Sequence, residues 1–249
     1  MASAAGSTVT CSRVRAPVIF IAMLFSDVPQ RVAEIRGRIS DAAARGGHGQ
    51  DVRIVAVTKT HGPEAVRAAH AAGLADVGEN RVQEAVEKRA ATLDVPVRWH
   101  LIGHLQSNKV RLLGEFDLVH SIDRTRIAAA VDTWGRGRGE PVDVLIQVNV
   151  SGESTKGGFE PTTTAGEAER LAACAGLRVR GVMTMAPWGA AERELRAVFA
   201  AAREVGAVLR AAGHPADALS MGMSGDYEVA VEEGATLVRL GTILFGVRA

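Results

Sequence analysis

From about residue 28 onward, the chain alternates between short apolar runs and longer segments that carry an apolar stripe at helical spacing. Several of the helical segments begin with Pro, Asp or Ser and end in Gly, as α-helices commonly do. The first spans Pro29 to Arg45 and is followed by the helix stop Gly46-Gly47. The apolar runs of strand length are 53–58, 74–79, 97–103, 117–122, 142–150, 177–185, 218–223 and 236–241. The pattern therefore predicts strands that alternate with helices.

Strands that alternate with helices are joined by crossover connections, so they pair in parallel. Eight such units in 249 residues match an α/β fold of the (β/α)8 TIM-barrel type, whose usual length is about 250 residues. A doubly wound open sheet is the alternative, but the Gly-x-Gly-x-x-Gly turn expected after its first strand is missing. No linker rich in Pro and Ser interrupts the pattern. We therefore expect one barrel domain over residues 27–249.

Residues 1–26 do not fit this pattern. Small polar residues and two arginines precede the apolar run "PVIFIAMLF", which ends at Phe25. A basic segment before an apolar one is typical of a signal peptide, but no small-x-small cleavage site follows, and the run is too short to span a bilayer. Met23 is itself a candidate initiator. We interpret residues 1–26 as a poorly ordered extension.

Composition narrows the classes of partner. The formal net charge is +1 and aromatic residues make up 4% of the chain, so neither electrostatics nor base stacking favours nucleic acid or an anionic membrane as the main partner. Cys11 and Cys174 lie far apart without the spacing of metal ligands. Two unrelated thiols fit a reducing compartment, and we expect a cytoplasmic protein without a metal site.

Lys59 closes the first apolar run, "VAVTKT", and is one of four lysines in the chain. Active sites of such barrels form at the carboxyl ends of the strands. A lysine held there against apolar walls loses hydration, which favours a neutral amine able to form a Schiff base with a carbonyl compound. The alternative is a structural lysine paired with a carboxylate such as Glu79 on the neighbouring strand. Strand position alone leaves both interpretations open.

Two loops near the end of the chain have the character of a phosphate site. Ser224 and Gly225 directly precede a helix predicted to start at Asp226, and Gly241-Thr242 follows the eighth strand. Helix N-termini and such loops bind phosphate, and the loops after strands seven and eight are the usual phosphate site of these barrels. Plain helix capping and a tight turn are the alternatives. The occurrence of both loops in the expected places favours phosphate binding.

A phosphate site across one mouth from an amine suggests a phosphorylated carbonyl ligand. Pyridoxal 5′-phosphate (PLP) fits, as does a sugar phosphate in a Schiff-base aldolase. Arg239 on the eighth strand favours PLP, because a guanidinium stays charged and would keep a facing pyridine nitrogen unprotonated. An aldolase needs a second lysine or an acidic proton shuttle, and the predicted strands hold no lysine other than Lys59.

Six motifs in order give the chain a specific resemblance. They are "AVTKT", "VGENRVQEAVEK", "WHLIGHLQSNK", "VNVSGESTKGGF", "GVMTM" and "SMGMSGDYEVAVEEGATLVRLGTILFG". Over roughly residues 28–247 the sequence resembles the YggS/PROSC family of pyridoxal-phosphate homeostasis proteins. The resemblance implies a fold-type III PLP protein, similar to the barrel domain of bacterial alanine racemase but without its C-terminal β domain.

The resemblance also implies roles for single residues. Lys59 would hold PLP as a Schiff base, Arg239 would face the pyridine nitrogen, and Asn80 and Met221 would be lesser neighbours of the ring. The phosphate would be held by Ser224, Gly241 and Thr242. The family pattern implies a ligand-side wall in "WHLIGHLQSNK" and leaves the role of His100 undefined.

The implied function is intracellular PLP (vitamin B6) homeostasis, in which the protein buffers or delivers PLP without strong catalytic turnover. Racemisation needs a base on each face of the cofactor, and the single tyrosine, Tyr227, lies on the helix after the phosphate loop. A weak PLP-dependent amino-acid racemase is the alternative, and a PLP-dependent regulatory partner is a third. We expect a monomer whose partners are PLP and PLP-dependent apoenzymes. Lys109 and Lys156 are candidate secondary aldehyde acceptors.

Overall fold

Residues 25–153 and 157–246 are described by the structure, a computed structural model. The extension predicted for residues 1–26 lies outside these ranges apart from its last two residues, as do Cys11 and Lys156. In the described residues, parallel strands form a closed barrel in which each strand pairs with the next and β8 pairs with β1. The strands are β1 (Arg53–Val57), β2 (Asp76–Glu79), β3 (Arg98–Leu101), β4 (Leu118–Ile122), β5 (Val142–Gln147), β6 (Leu177–Met183), β7 (Ala218–Ser220) and β8 (Leu237–Leu240). The predicted (β/α)8 barrel is confirmed.

Helices surround the barrel. Helix α1 (Val28–Gly46) precedes β1. Its buried apolar residues, which include Val32, Ile35 and Ile39, pack in the hydrophobic core. The helices that follow the strands are α2 (Pro63–Ala71), α3 (Val82–Ala91), α4 (Thr125–Arg138), α5 (Thr164–Ala172), α6 (Glu192–Ala211), α7 (Tyr227–Glu232) and α8 (Thr242–Phe245). A 3-10 helix, Ser107–Glu115, occupies the place after β3, and another, Pro161–Thr163, leads into α5.

The strands are shorter than the apolar runs that predicted them. The run 142–150 yields a strand that ends at Gln147, because the following loop folds back on itself. There Val148 forms a bridge with Phe159, and the Asn149 amide donates to the Phe159 carbonyl at 3.0 Å. Apolar side chains in such a loop are buried by local pairing rather than by the sheet, so periodicity alone cannot mark where the strand ends.

The barrel interior combines an apolar layer with a polar one. The apolar layer consists of Val55, Leu118, Leu145, Met183 and Leu237. Because side chains alternate between the two faces of a strand, residues two positions further along face the interior as well. On β4 and β8 these are His120 and Arg239, both buried. The interior therefore holds titratable groups directly above its apolar layer.

None of the helices in the described ranges has the length and apolar character needed to cross a bilayer. The described part of the chain consists of the barrel with its surrounding helices, and no separate β domain accompanies it.

Candidate functional site

Lys59 lies in the turn that follows β1, two residues beyond the end of the strand. The preceding Thr58 is buried, whereas Lys59 and Thr60 are exposed. Thr60 has a φ of 68°, in the left-handed region that few β-branched residues adopt. The expectation that apolar walls enclose the Lys59 amine is therefore wrong for this structure. The chain turns sharply at the strand end and leaves the side chain accessible from the barrel mouth.

The carboxylate of Glu79 is bound by Lys88 and not by Lys59. Lys88 on α3 donates from Nζ to Glu79 Oε1 at 2.6 Å and to the Thr58 carbonyl at 2.7 Å. The Thr58 hydroxyl also donates to Glu79 Oε1, at 2.5 Å. Burial raises the pKa of Glu79 above its usual value, although the hydrogen bonds from Lys88 and Thr58 oppose the change. Within the part of the chain that the structure describes, Lys59 forms no ion pair.

The sequence does not mark Lys88 as the partner of Glu79, because Lys88 lies in a polar helical segment. Its spacing of nine residues from Glu79 offers no pattern that would pair the two side chains. The pair fixes the residue immediately before Lys59, since Lys88 binds the Thr58 carbonyl and Glu79 binds its hydroxyl. The structural role first considered for Lys59 therefore belongs to Lys88.

Asn80 follows β2 at the same mouth and is half-buried. A side chain at Gly103 would place its Cβ 2.2 Å from the Asn80 carbonyl oxygen. Glycine in "HLIGHL" is therefore required for the loop after β3 to pass over the backbone of Asn80.

The two loops predicted to hold phosphate come together. The Ile243 amide donates to Ser224 Oγ at 3.4 Å, which joins the loop after β7 to the start of α8. Gly241 lies beside the end of β1, where a Cβ would be 3.3 Å from the Val57 carbonyl oxygen. No side chain restricts the space around Gly225, where a Cβ would meet nothing within 4 Å. Ser224, Gly225, Gly241 and Thr242 thus meet close to the strand that leads to Lys59.

The loop after β7 is shaped by a glycine and a carboxylate. Gly222 has a φ of 91°, and a Cβ there would lie 2.7 Å from the Ala230 Cβ. Asp226 Oδ1 accepts a hydrogen bond from the Met223 amide at 2.5 Å and closes the turn before α7. Burial raises the pKa of Asp226. Met221, the residue predicted to neighbour the ring, is buried at the start of this loop.

Arg239 is buried in the barrel interior, with 5% of its surface exposed. Its Nη1 donates to the carbonyl oxygen of Ser220 at 2.7 Å and to the hydroxyl at 2.6 Å, and Nη2 donates to the Thr184 carbonyl at 2.8 Å. Burial lowers the pKa of Arg239 to about 10, so the guanidinium stays charged at neutral pH. A guanidinium has five N–H donors. The donor on Nε and one of the two donors on Nη2 have no acceptor among the described residues.

A chain of hydrogen bonds runs from Ser220 through the interior to Asp76. Ser220 Oγ lies 2.9 Å from His120 Nδ1, His120 Nε2 lies 2.8 Å from His100 Nδ1, and His100 Nε2 lies 2.9 Å from Asp76 Oδ1. Burial lowers the pKa of His120 well below its usual value, and the electrostatic interactions with His100 and Arg239 act in the same direction.

Both histidines satisfy this chain in their neutral forms. If His100 donates to Asp76, its Nδ1 accepts from His120 Nε2, and His120 Nδ1 then accepts from the Ser220 hydroxyl. These tautomers follow from the partners of each nitrogen. The rings of His100 and His120 contact each other inside the barrel rather than at the mouth. Polar residues at inward positions of neighbouring strands are the pattern that could have indicated this.

Tyr227 packs away from the mouth. Its ring is buried, and the Arg38 guanidinium of α1 lies 5.5 Å from the ring centroid. Its hydroxyl has no hydrogen-bond partner in the described residues. Tyr227 therefore packs between α7 and α1.

Comparison with known proteins extends this picture. Residues 32–249 match the family described as alanine racemase, N-terminal domain. A pyridoxal phosphate homeostasis protein from Pseudomonas aeruginosa is 45% identical over 226 residues, which cover 90% of this chain and 96% of that protein. The protein of the same name from Escherichia coli strain K12 is 39% identical over 231 residues, covering 90% and 97%.

Solved structures of similar proteins have the same barrel fold. PipY of Synechococcus elongatus PCC7942, with PLP bound, has a TM-score of 0.78 and 36% identity, covering 88% of this chain and all of that one. An alanine racemase from Clostridium difficile has a TM-score of 0.71 at 15% identity and covers 57% of that chain, which supports the fold alone.

The fold and the mouth define a barrel protein of the alanine racemase N-terminal class. Within that class, the chain belongs to the family of pyridoxal phosphate homeostasis proteins, to which the YggS/PROSC resemblance pointed.

Proposed function

We propose that this protein binds PLP at the barrel mouth and takes part in PLP homeostasis. The observation that carries the proposal is the buried guanidinium of Arg239, which keeps two N–H donors free beneath the joined phosphate loops. The strand that bears it pairs with β1, and Val55 lies opposite Arg239 in register, four residues before Lys59. The names of the relatives and the PLP-bound PipY structure support the choice of ligand.

The residues at the mouth fit the chemical groups of PLP. Ser224 Oγ and the start of α8 offer hydroxyl and amide donors to a phosphate, as helix N-termini do elsewhere. Gly225 and Gly241 keep side chains out of the same place. Arg239 offers charged donors to a pyridine nitrogen, and Lys59 is the amine that would hold the aldehyde through a Schiff base. Asn80 and Met221 would border the ring.

PLP, when bound, supplies an aldehyde that reacts reversibly with primary amines. The chain's own residues decide how that property is used. Exposure of Lys59 leaves the attachment point open to amines from solution, which suits a protein that takes up and releases its ligand. The Glu79–Lys88 pair holds the backbone of the preceding Thr58 in place while the amine itself stays accessible.

The residues at the mouth also favour a protein that carries PLP over an enzyme that uses PLP in catalysis. Racemisation needs a second base opposite the lysine, and the one tyrosine of the chain is buried against Arg38. We therefore propose a cytoplasmic monomer that buffers PLP and delivers it to apoenzymes. Proton exchange at Cα of D- or L-alanine in D₂O tests the alternative of a weak racemase, and a rate well above that of free PLP would support that alternative.

An absorbance spectrum of the purified protein tests the role of Lys59. A Schiff base between lysine and PLP absorbs near about 420 nm. We expect this band in the wild type and in Lys109→Ala, which removes a lysine from the 3-10 helix after β3, and its loss in Lys59→Ala. Borohydride reduction followed by peptide mapping should place the pyridoxyl mass on the peptide that contains Lys59. A reduced label on another lysine would refute the assignment.

A further inference from the structure

A second pocket lies at the end of the barrel opposite the mouth. It is a cavity of about 480 Å³ between α1 and the amino-terminal ends of β1, β2 and β3. Cavities of this size hold small-molecule ligands. The residues proposed to hold PLP do not line it, so the pocket is distinct from the proposed PLP site. Three arginines line it: Arg36, Arg53 and Arg98.

Two of these arginines, Arg53 and Arg98, share one buried carboxylate, that of Asp76. Arg98 donates to both oxygens of Asp76 at 2.7 Å, and Arg53 Nη1 lies 3.3 Å from Asp76 Oδ1. His100 occupies the remaining side of this carboxylate. Burial by itself raises the pKa of Asp76, but the hydrogen bonds from Arg98 and His100 outweigh it and hold the pKa well below its usual value. One ionised carboxylate therefore faces two guanidinium groups.

Arg36 adds a third positive charge from the opposite wall. Its Nη2 donates to the Gly73 carbonyl at 2.8 Å, and it forms no ion pair within the described residues. The second carboxylate of the lining, Asp51, is on an exposed residue at the rim. Arg53 and Arg98 are about half exposed, at 46% and 48% of their side chains, so their unused N–H donors are accessible to a ligand.

The lining is partly apolar as well. Ile39 of α1 and Leu74, just before β2, lie in the same cavity as the guanidinium groups. An inorganic anion would use only the charged wall, whereas a ligand with a short carbon skeleton would cover these side chains too. Guanidinium groups present paired donors that match the two oxygens of a carboxylate or phosphate.

We propose that this pocket is a binding site for a small organic dianion with carboxylate or phosphate groups, separate from the PLP site. The ligand's anionic groups are bound by Arg36 and Arg53 together with the free donors of Arg98. Its carbon skeleton packs on Ile39 and Leu74. Asp76 holds Arg53 and Arg98 in place. The three guanidinium groups exceed this one buried carboxylate by two positive charges, which a ligand with two negative charges balances.

Isothermal titration calorimetry with glycerol 3-phosphate and with succinate, in a phosphate-free buffer of low ionic strength, tests this site. Both probes are titrated into the full-length protein with and without saturating PLP. We expect saturable binding of at least one probe under both conditions. Stronger binding of glycerol 3-phosphate identifies a phosphate-bearing ligand, and stronger binding of succinate identifies a carboxylate-bearing one.

Variants locate the binding. Arg36→Gln and Arg53→Gln should each weaken binding by about tenfold, the usual effect of losing one charge-assisted contact. Neither variant removes the two bonds from Arg98 to Asp76. Arg178→Gln is the matched control, because Arg178 pairs with a single carboxylate, Asp143, at the start of the strands and does not line the pocket. No saturable binding of either probe, binding abolished by PLP, or an equal loss in Arg178→Gln would overturn the proposal.

Discussion

Two lysines near the end of β1 have opposite environments. Lys88 is 9% exposed and bound to a fully buried carboxylate, whereas Lys59 is exposed in the turn after the strand. The sequence identified Lys59 as the residue with reactive chemistry because it closes an apolar run. It could not assign the buried pair, since the partner of Glu79 comes from α3, and the contact depends on how that helix packs against β2.

Lys88→Met is expected to destabilise the protein by about 3 kcal/mol, because removal of one partner leaves a buried carboxylate without its counter-charge. Glu79 Oε2 already lacks a hydrogen-bond partner in the described residues, so the site has little left to compensate. Denaturation in urea, followed by circular dichroism, measures the change. The double variant Lys88→Met/Glu79→Gln should recover much of the loss. A single variant as stable as the wild type would show that the pair contributes nothing.

At the scale of elements, the alternation of strands and helices predicted a parallel α/β fold, and the chain length with the missing Gly-x-Gly-x-x-Gly turn favoured the barrel over an open sheet. Every predicted run contains a strand, and the differences lie at the ends, as where β5 stops at Gln147. That the loops of Ser224 and Gly241 lie together could be predicted as well, because both follow neighbouring strands of the barrel. The contacts of His120 and Ser220 could not, since they join residues 100 positions apart.

Gly222→Ala is expected to destabilise the loop between β7 and α7. The φ of 91° disfavours a Cβ, and the Cβ itself would lie 2.7 Å from that of Ala230 and 2.9 Å from the Tyr227 Cα. A strained backbone costs of order 1–3 kcal/mol, and the overlap adds to this. The free energy of unfolding of the variant should fall by at least about 2 kcal/mol.

Gly225→Ala is the control for that loop, because its Cβ would meet nothing within 4 Å and its backbone has no positive φ. We expect its stability to change by less than about 0.5 kcal/mol, as for most exposed substitutions. If the two alanine variants were equally stable, the shape of the loop after β7 would not depend on Gly222.

At the scale of the whole molecule, one buried network connects the two ends of the barrel. Asp76 binds Arg53 and Arg98 of the amino-terminal pocket on one side and His100 on the other. The hydrogen bonds continue through His120 and Ser220 to Arg239 below the mouth. Six strands, β1, β2, β3, β4, β7 and β8, contribute to this network, so its protonation state is a property of the closed barrel rather than of any single element.

The stability of the barrel should therefore depend on pH through His120. Burial, together with the electrostatic interactions with His100 and Arg239, lowers its pKa in the folded protein, while Asp76 opposes and Arg53 adds to the effect. Below a pH of about 6.5 the unfolded chain binds a proton that the folded chain does not, so stability falls as pH falls. This group contributes up to about 1.4 kcal/mol per pH unit in that range.

Comparison of the wild type with His120→Asn isolates this contribution. Glu79 and Asp226 have raised pKa values, so protonation of these two groups favours the folded state as pH falls and partly masks the effect of His120. Both groups are present in both proteins, so their contributions cancel in the difference. Urea denaturation at pH 7 and pH 5 should show the wild type losing about 2 kcal/mol more than His120→Asn over this range. Equal losses would mean that His120 is protonated in the folded barrel at pH 5, and that its chain to Arg239 is not held in the neutral form.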